Sequence, residues 1–295
     1  MKHVSYSQYT KWLNCPLGYQ LKYIDGHRLD GGSIHTAFGT AVHETVQEWL
    51  DLLYNKSETF ARTVYLHDTF KEKLLREFKE GITLDENGQK VFYSDKATLM
   101  EFYNQGCAMI DYIQENYKRF FPTEDTVLHS IEYPLRVEVI PDHVEFIGYI
   151  DVVTHNTETG EYKLYDLKTS TRGWNQWAKK DVKKIDQLRL YKRFFAIQED
   201  VDENDITVEF TIMKRMIPEN TDFHIPRVSS FVPSHKSPSI KKSWESFQNF
   251  INTVFTPDGE YVSPQVATPS KSACRFCEFN DRPDLCSFID PEYRK

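Results

Sequence analysis

The sequence predicts an α/β protein, and three observations carry that expectation. A block in the middle of the chain alternates apolar and polar residues at period two. The blocks on either side repeat at helical spacing, and a cysteine-bearing tail is too irregular to form a core of its own. With 295 residues the chain can bury a large core, as one elaborated domain or as two. It is 40% hydrophobic and 27% charged, the composition of a soluble protein. No apolar run approaches the roughly 20 residues that cross a bilayer, and "MKHVSYSQYT" lacks the apolar core of a signal peptide. The expectation is a cytoplasmic protein (in the host cytoplasm if a virus encodes it) with no membrane partner. The net charge of −8 excludes a surface coated in positive charge but allows a local basic patch.

The elements follow in chain order. "SYSQYTKWLNCPLGYQLKYI" reads as helix, with Ser5 or Ser7 as cap and an interruption at Cys15-Pro16. A loop of Gly31, Gly32 and Ser33 leads into "GTAVHETVQEWLDLLYN", where Thr40 can cap and Val46, Leu50 and Leu53 recur at helical spacing. Residues 54–125 are mostly helical in pattern and are expected to form a helical insertion. "VLHSIEYPLRVEVI", "HVEFIGYIDVVTH" and "EYKLYDLKTS" are rich in Val, Ile and Tyr, with turn signals at Pro141-Asp142 and from Asn156 to Gly160. They predict a meander of three strands. A helix around "KKIDQLRLYKRFFAIQ", a strand "ITVEFTIMKRM", a proline-containing loop over 217–240 and an amphipathic helix "SWESFQNFINTVF" complete the body.

Strand side chains alternate, so Tyr162, Leu164, Asp166 and Lys168 share one face. Asp151 ends the preceding strand, and a short connection places the two carboxylates at the same end of a sheet. Such a pair is either an ion-paired sheet rim or the oxygen ligands of a hard divalent cation. His43 lies on the inward face of its helix with Val46, Leu50 and Leu53. Gln187 and Tyr191 stand four apart on one helix face. Gly148, three residues before Asp151, offers a place for close approach of a substrate backbone.

His43 in "GTAVHE", Asp151 in "GYID", Asp166, Leu167, Lys168 and Thr169 in "YDLKTS", and Gln187 and Tyr191 in "DQLRLY" occur in an order that resembles the RecB-type branch of the PD-(D/E)XK nuclease superfamily. The opening "YSQYTKWLNCPLGYQLKYI" is similar to the start of that branch's proteins. The resemblance covers both ends and residues 130–191. It implies a restriction-endonuclease-like α/β fold, a mixed central sheet flanked by helices, in a single nuclease domain over 1–295. It further implies that Asp151 and Asp166 hold Mg²⁺ or Mn²⁺, helped by the Leu167 carbonyl and His43, with Glu132 as an additional carboxylate. Lys168 would position the attacking water or offset developing charge, and Gln187 and Tyr191 would contact substrate or organise Lys168.

The chain has five cysteines. Cys274 and Cys277 form C-x2-C and Cys286 follows, a metal-ligand pattern rather than a disulfide one in an intracellular chain. The remote Cys15 with this C-terminal triplet resembles the iron–sulfur nucleases of the same branch, the AddB helicase–nuclease subunit and the CRISPR-associated RecB-like exonucleases. The resemblance implies a [4Fe–4S] cluster stapling the tail, 263–295, to Cys15. The thiolates alone would also accept Zn²⁺. Cys107 lies on the stripe of Tyr103, Ile110 and Tyr117 and reads as a core residue.

After the Asp-x-Lys strand come Arg172, Lys179, Lys180, Lys183 and Lys184, interleaved with Trp174 and Trp177. Basic residues neutralise phosphates and aromatics stack on unpaired bases, although such a run also suits a solvated helix face. The leading expectation is a metal-dependent DNA exonuclease on single strands or free ends, with a helicase or recombination partner in view. Its rivals are a non-catalytic nucleic-acid-binding or assembly protein that keeps the fold, and an RNA nuclease, since nothing in the sequence reads a 2′-hydroxyl.

Overall fold

A computed structural model describes residues 1–27, 32–85, 87–218 and 225–288. The chain opens with β1 (Lys2–Val4), α1 (Tyr6–Asn14), α2 (Pro16–Tyr19) and a π-helical turn. Ser5 caps α1, its hydroxyl accepting from the Gln8 N–H, and extended Cys15 before Pro16 separates the two helices. α3 (Ile34–Asn55), α4 (Glu58–Thr63), α5 (His67–Glu80), a small hairpin of β2 (Thr83–Leu84) and β3 (Lys90–Val91), and α6 (Lys96–Phe120) follow. Then come β4 (Thr126–Ile140), β5 (Val144–Asn156), β6 (Tyr162–Ser170), α7 (Val182–Glu199), β7 (Ile206–Lys214), β8 (Val228–Phe231), α8 (Ser237–Val254) and α9 (Lys271–Cys274).

Among the described residues six strands form one mixed sheet. β4, β5 and β6 make the expected antiparallel meander. α7 then crosses over so that β7 runs parallel to β6, and β8 closes that edge antiparallel. The second edge of β5 is shared. Its start pairs in parallel with β1, ending at Val4↔Phe146, and its end pairs with β6, beginning at Val152↔Tyr165. Between Phe146 and Val152 that edge has no ladder partner, and the sheet opens there as a fork.

Both faces of the sheet are covered. On one, Tyr6 and Tyr9 of α1, Phe194 and Phe195 of α7 and Phe247 and Phe250 of α8 pack on Phe146, Leu164 and Phe210. On the other, Phe38, Val42 and Trp49 of α3, Phe70 of α5 and Phe102 and Ile113 of α6 pack on Val152, Tyr165 and Leu167. Residues 58–120 therefore build a helical layer over the sheet, sharing one core with α3.

Several local expectations shift. α3 starts at Ile34 with Ser33 as its cap, and Thr40 lies inside it. Ile34, Ala37 and Phe38 extend the buried stripe upstream, and burial outweighs the cap at Thr40. Gly31 of the preceding loop lies outside the described residues. β1, β2, β3 and β8 are two to four residues long, too short to show a period. β8 falls in the stretch expected to be loop. Cys107 is buried in α6, as its stripe suggested. No helix of the described residues is long and apolar enough to cross a membrane.

Candidate active site and a four-cysteine pocket

The fork places the acidic residues. Asp151 is the last residue of β5 before pairing with β6 begins, and Asp166 is the first of β6 after that pairing ends. Across the gap the Leu167 N–H donates to Asp151 Oδ2 at 2.6 Å. The N–H and C=O of one strand residue point to the same side, so the Leu167 carbonyl also faces the fork. Lys168 Nζ lies 2.9 Å from Asp166 Oδ1 and 2.6 Å from Oδ2. His43, on α3, brings Nδ1 to 3.8 Å from Asp151 Oδ2.

Burial sets the electrostatics. Asp166 is only 3% exposed, and its carboxyl is pushed up to about 6, by desolvation first and by the charge of Asp151 as well, against the opposing pull of Lys168. Asp151 is also pushed up to about 6, again chiefly by desolvation. Burial alone would lower Lys168, but Asp166 and Asp151 outweigh it and hold the ammonium above its ordinary value. His43 is pulled down to about 4 by burial and by Lys168, so its imidazole is neutral near pH 7. A buried carboxylate, a half-buried one and a neutral imidazole around one gap are hard and borderline donors that lack enough positive charge.

Gln187 Nε2 lies 3.4 Å from the Tyr191 hydroxyl, so the predicted pair does meet. Tyr191 is buried, its phenol raised by desolvation and by both aspartates, and Tyr6 of α1 packs edge-on against it at 6.4 Å. Gly148 has a different role from the one its sequence suggested. A side chain there would meet Phe146 at 3.0 Å and the Tyr191 ring at 3.2 Å. The missing side chain seats the tyrosine, and no room remains there for a substrate backbone.

Glu132 on β4 stands opposite Asp151 in register, between the pairs Ile131↔Val152 and Tyr133↔Ile150, yet the two form no bridge. Its φ is +47°, a left-handed backbone that costs a non-glycine residue about 1–2 kcal/mol. Gln47, one turn beyond His43, donates through Nε2 to the Glu132 carboxylate and to the Asp151 carbonyl, the latter at 3.1 Å. A hydrogen bond to a charged group contributes about 1.5–3 kcal/mol, enough to offset that strain. The sequence reading missed Gln47, although its place four residues after His43 was a usable signal. Asp186, beside Gln187, is satisfied by Arg189 at 2.9 Å and Ser243 at 2.8 Å and takes no part.

The basic run leaves the end of β6. Arg172, Lys180 and Lys184 are exposed, Lys179 lies 5.4 Å above the Phe231 ring, and Lys183 donates to Asn14. Trp174 packs on Phe210 at 4.9 Å with Lys184 Nζ 5.4 Å over its ring, whereas Trp177 is 82% exposed. Trp177 is therefore the aromatic with a free face.

At the far end of α1, Cys15, Cys274, Cys277 and Cys286 line one cavity together with Leu21 and Phe279. Desolvation raises the Cys286 thiol, and the other three cysteines raise it further. Protein contacts also fasten the tail. Glu278 bridges Lys11 at 2.8 Å and Lys22 at 2.9 Å, and the Gln265 N–H donates to Gln20 Oε1 at 2.7 Å. Among the described residues, no three His, Cys, Asp or Glu side chains stand together as a metal-holding group. The thiols thus share a cavity without standing in ligating geometry. For Mg²⁺ the carboxylate pair suffices, because that ion takes one or two carboxylates and completes its shell with water and phosphate.

The fork thus presents Asp151 from one strand and Asp166 and Lys168 from the other, with His43 of α3 beside them. Residues 3–282 match the PD-(D/E)XK nuclease superfamily, and the chain belongs to that superfamily. A comparison with curated proteins finds no match.

Proposed function

We propose that the protein is a metal-dependent deoxyribonuclease acting as an exonuclease on single-stranded DNA or DNA ends. The observation that carries this reading is the Asp151 carboxylate held by the Leu167 N–H across the open fork, beside Asp166 and Lys168. Two carboxyls raised by desolvation beside a lysine at an open sheet fork are the arrangement that functional sites favour. Asp151 and Asp166 would hold Mg²⁺ or Mn²⁺, with the Leu167 carbonyl and the neutral His43 as further donors. The ion, when bound, supplies Lewis-acid polarisation of the scissile phosphate and lowers the pKa of the attacking water. Lys168 stays cationic, so it acts by orienting water and offsetting negative charge on the phosphoryl oxygens rather than by taking a proton. Gln187 and Tyr191 form the wall of the fork and orient the substrate against it. Lys180, Lys184 and Arg172, with Trp177, guide the strand.

The four cysteines ligate a [4Fe–4S] cluster in this reading, with Zn²⁺ as the alternative, and the ligand would tie the tail to α1. What supports it is the convergence of thiols from both chain ends on one cavity. The deciding assay for the activity is release of nucleotides from 5′- and 3′-labelled single and double strands, with and without Mn²⁺. Binding without hydrolysis of any strand would favour the assembly-protein reading, and cleavage of RNA in preference to DNA would displace the substrate assignment.

A further inference from the structure

Gln47 is a buried amide, 4% exposed, in no motif of the site. It lies on α3 one turn beyond His43, so both side chains project from one helix face toward the fork. Its Nε2 serves two acceptors on two neighbouring strands, the Glu132 carboxylate of β4 and the Asp151 carbonyl of β5. Those two residues face one another in register without a ladder bridge, and Glu132 holds a left-handed backbone there. On its other edge β5 has no partner at Asp151 either, since pairing with β6 begins at Val152. The backbone that aims the Asp151 carboxylate therefore lacks ladder support on both sides, and Gln47 fills that gap from above.

We propose that Gln47 is a positioning residue: by bridging Glu132 and the Asp151 main chain it fixes the direction of the Asp151 carboxylate and so sets the affinity of the fork for a divalent cation. This rests on the nuclease reading above. The role is geometric. Both donor protons of the amide are spent, one on each strand, and a neutral side chain of equal length without donors leaves Asp151 attached only at its carboxylate, through the Leu167 N–H. Partners of this kind typically cost roughly 10–100-fold in metal affinity when removed. Glu132 on this account is an anchor for Gln47 rather than a ligand.

The test is direct Mn²⁺ binding to the full chain without nucleic acid, followed by calorimetry or by the signal of free Mn²⁺, for wild type, Gln47→Met, Gln47→Glu and Glu132→Gln. Gln47→Met keeps the volume and removes the donors; it should weaken Mn²⁺ binding roughly 10–100-fold. Saturating Mn²⁺ should then restore turnover to within a few-fold, which a misfolded site would not allow. Gln47→Glu sets an acceptor against the Asp151 carbonyl and should lose as much, which covers a Gln47→Met variant that does not fold. Glu132→Gln still accepts from Gln47 and should bind Mn²⁺ within about threefold of wild type, by the geometric argument. Wild-type affinity in Gln47→Met or Gln47→Glu would overturn the proposal. A Glu132→Gln loss as large as that of Gln47→Met would also overturn it, by making Glu132 a ligand. A wild-type protein that binds no Mn²⁺ would overturn it together with the reading on which it rests, a failure distinct from the other two.

Discussion

The carboxylate fork and the cysteine pocket are both candidate metal sites, but they are assembled in opposite ways. The fork is built from one hairpin: β5 pairs with β6 only up to Val152↔Tyr165, while β7 holds β6 by a continuous ladder from Tyr162 through Ser170. Asp166 is placed by the β6–β7 ladder, and Asp151, without a ladder partner, is held by the Leu167 N–H of the opposing strand and by Gln47. The pocket brings Cys15 against three cysteines of a tail whose regular structure, among the described residues, is limited to α9. Sheet register can hold charged groups in a strained cluster with nothing bound. The tail has no such ladder: Glu278 and Gln265 fasten it through side chains, and a ligand at the cysteines would add to that hold. Ligand removal should therefore leave the fork folded and loosen the pocket.

The sharpest way to break that contrast lies in the fork. Asp166→Asn should lower turnover by two to three orders of magnitude, the scale for losing one group aimed at developing charge. It should not lower the melting temperature of the metal-free protein, because it removes a buried carboxylate that desolvation already disfavours. Lys168→Ala should lose turnover comparably. Measured kcat and thermal melts check both, and an active Lys168→Ala protein would remove lysine from the mechanism.

The pocket should respond in the reverse sense. Anaerobically purified protein should be brown with about four irons and four sulfides per chain. Cys15→Ala should lose the colour as completely as Cys277→Ala, while Cys107→Ala keeps it. Because such a cross-link would close nearly the whole chain, its loss should lower the melting temperature by several degrees, a stability change of about 5 kcal/mol on the loop-closure scale. Iron analysis and calorimetry read this directly. Colourless protein with one zinc would replace the cluster, and an indifferent Cys15→Ala variant would end the long-range staple in either form.

Legibility in the sequence divides along the same line. The meander was readable because β4, β5 and β6 are long enough for period two to show, and Asp151, Asp166 and Lys168 followed from that period. α1 and its break at Cys15-Pro16 were readable from local capping and from proline. The two-residue strands of the β2–β3 hairpin carry no period, and β8 borrows its pairing from β7. The space over Gly148 was misread because a glycine in a strand marks close approach without saying what approaches; here it is Tyr191, 43 positions later. Gln47 shares a helix face with His43, which was a usable signal, but nothing in the sequence says which two strands its amide meets.

Protons should separate the two sites by a smaller factor. The fork carboxyls are pushed up to about 6, against an ordinary value near 3.9. Between those values the folded chain holds protons that the unfolded chain has lost, so metal-free stability falls as pH rises from about 4 to 6 and is level above that. The pair titrates as a unit, and its total is a few kcal/mol at most. A cation must displace the same protons, so Mn²⁺ affinity and cleavage should rise with pH up to about 6, about tenfold per unit for each proton displaced, and then flatten. A rate profile flat from pH 4.5 to 7, taken at subsaturating Mn²⁺, would contradict the burial of these groups.

The smallest effect concerns the strand leaving the fork, where the basic residues are not equivalent. Replacing Lys179, Lys180, Lys183 and Lys184 together should weaken binding of single-stranded DNA and flatten its salt dependence, because fewer counterions are released. Each phosphate left without its lysine should reduce the log–log salt slope by about 0.7 on a single strand. Lys183 is engaged with Asn14 and Lys179 lies over Phe231, whereas Lys180 and Lys184 are exposed. The exposed pair should therefore account for most of the change, so Lys180→Ala/Lys184→Ala should reproduce nearly the whole slope shift of the fourfold variant. Lys184 also covers the Trp174 ring, and its removal bares that face, which offsets part of the missing charge by offering a second stacking surface beside Trp177. The double variant should then lose more slope than affinity. An unchanged slope would make this run a solvated helix face and would move strand guidance elsewhere on the protein, while leaving the fork's chemistry as argued.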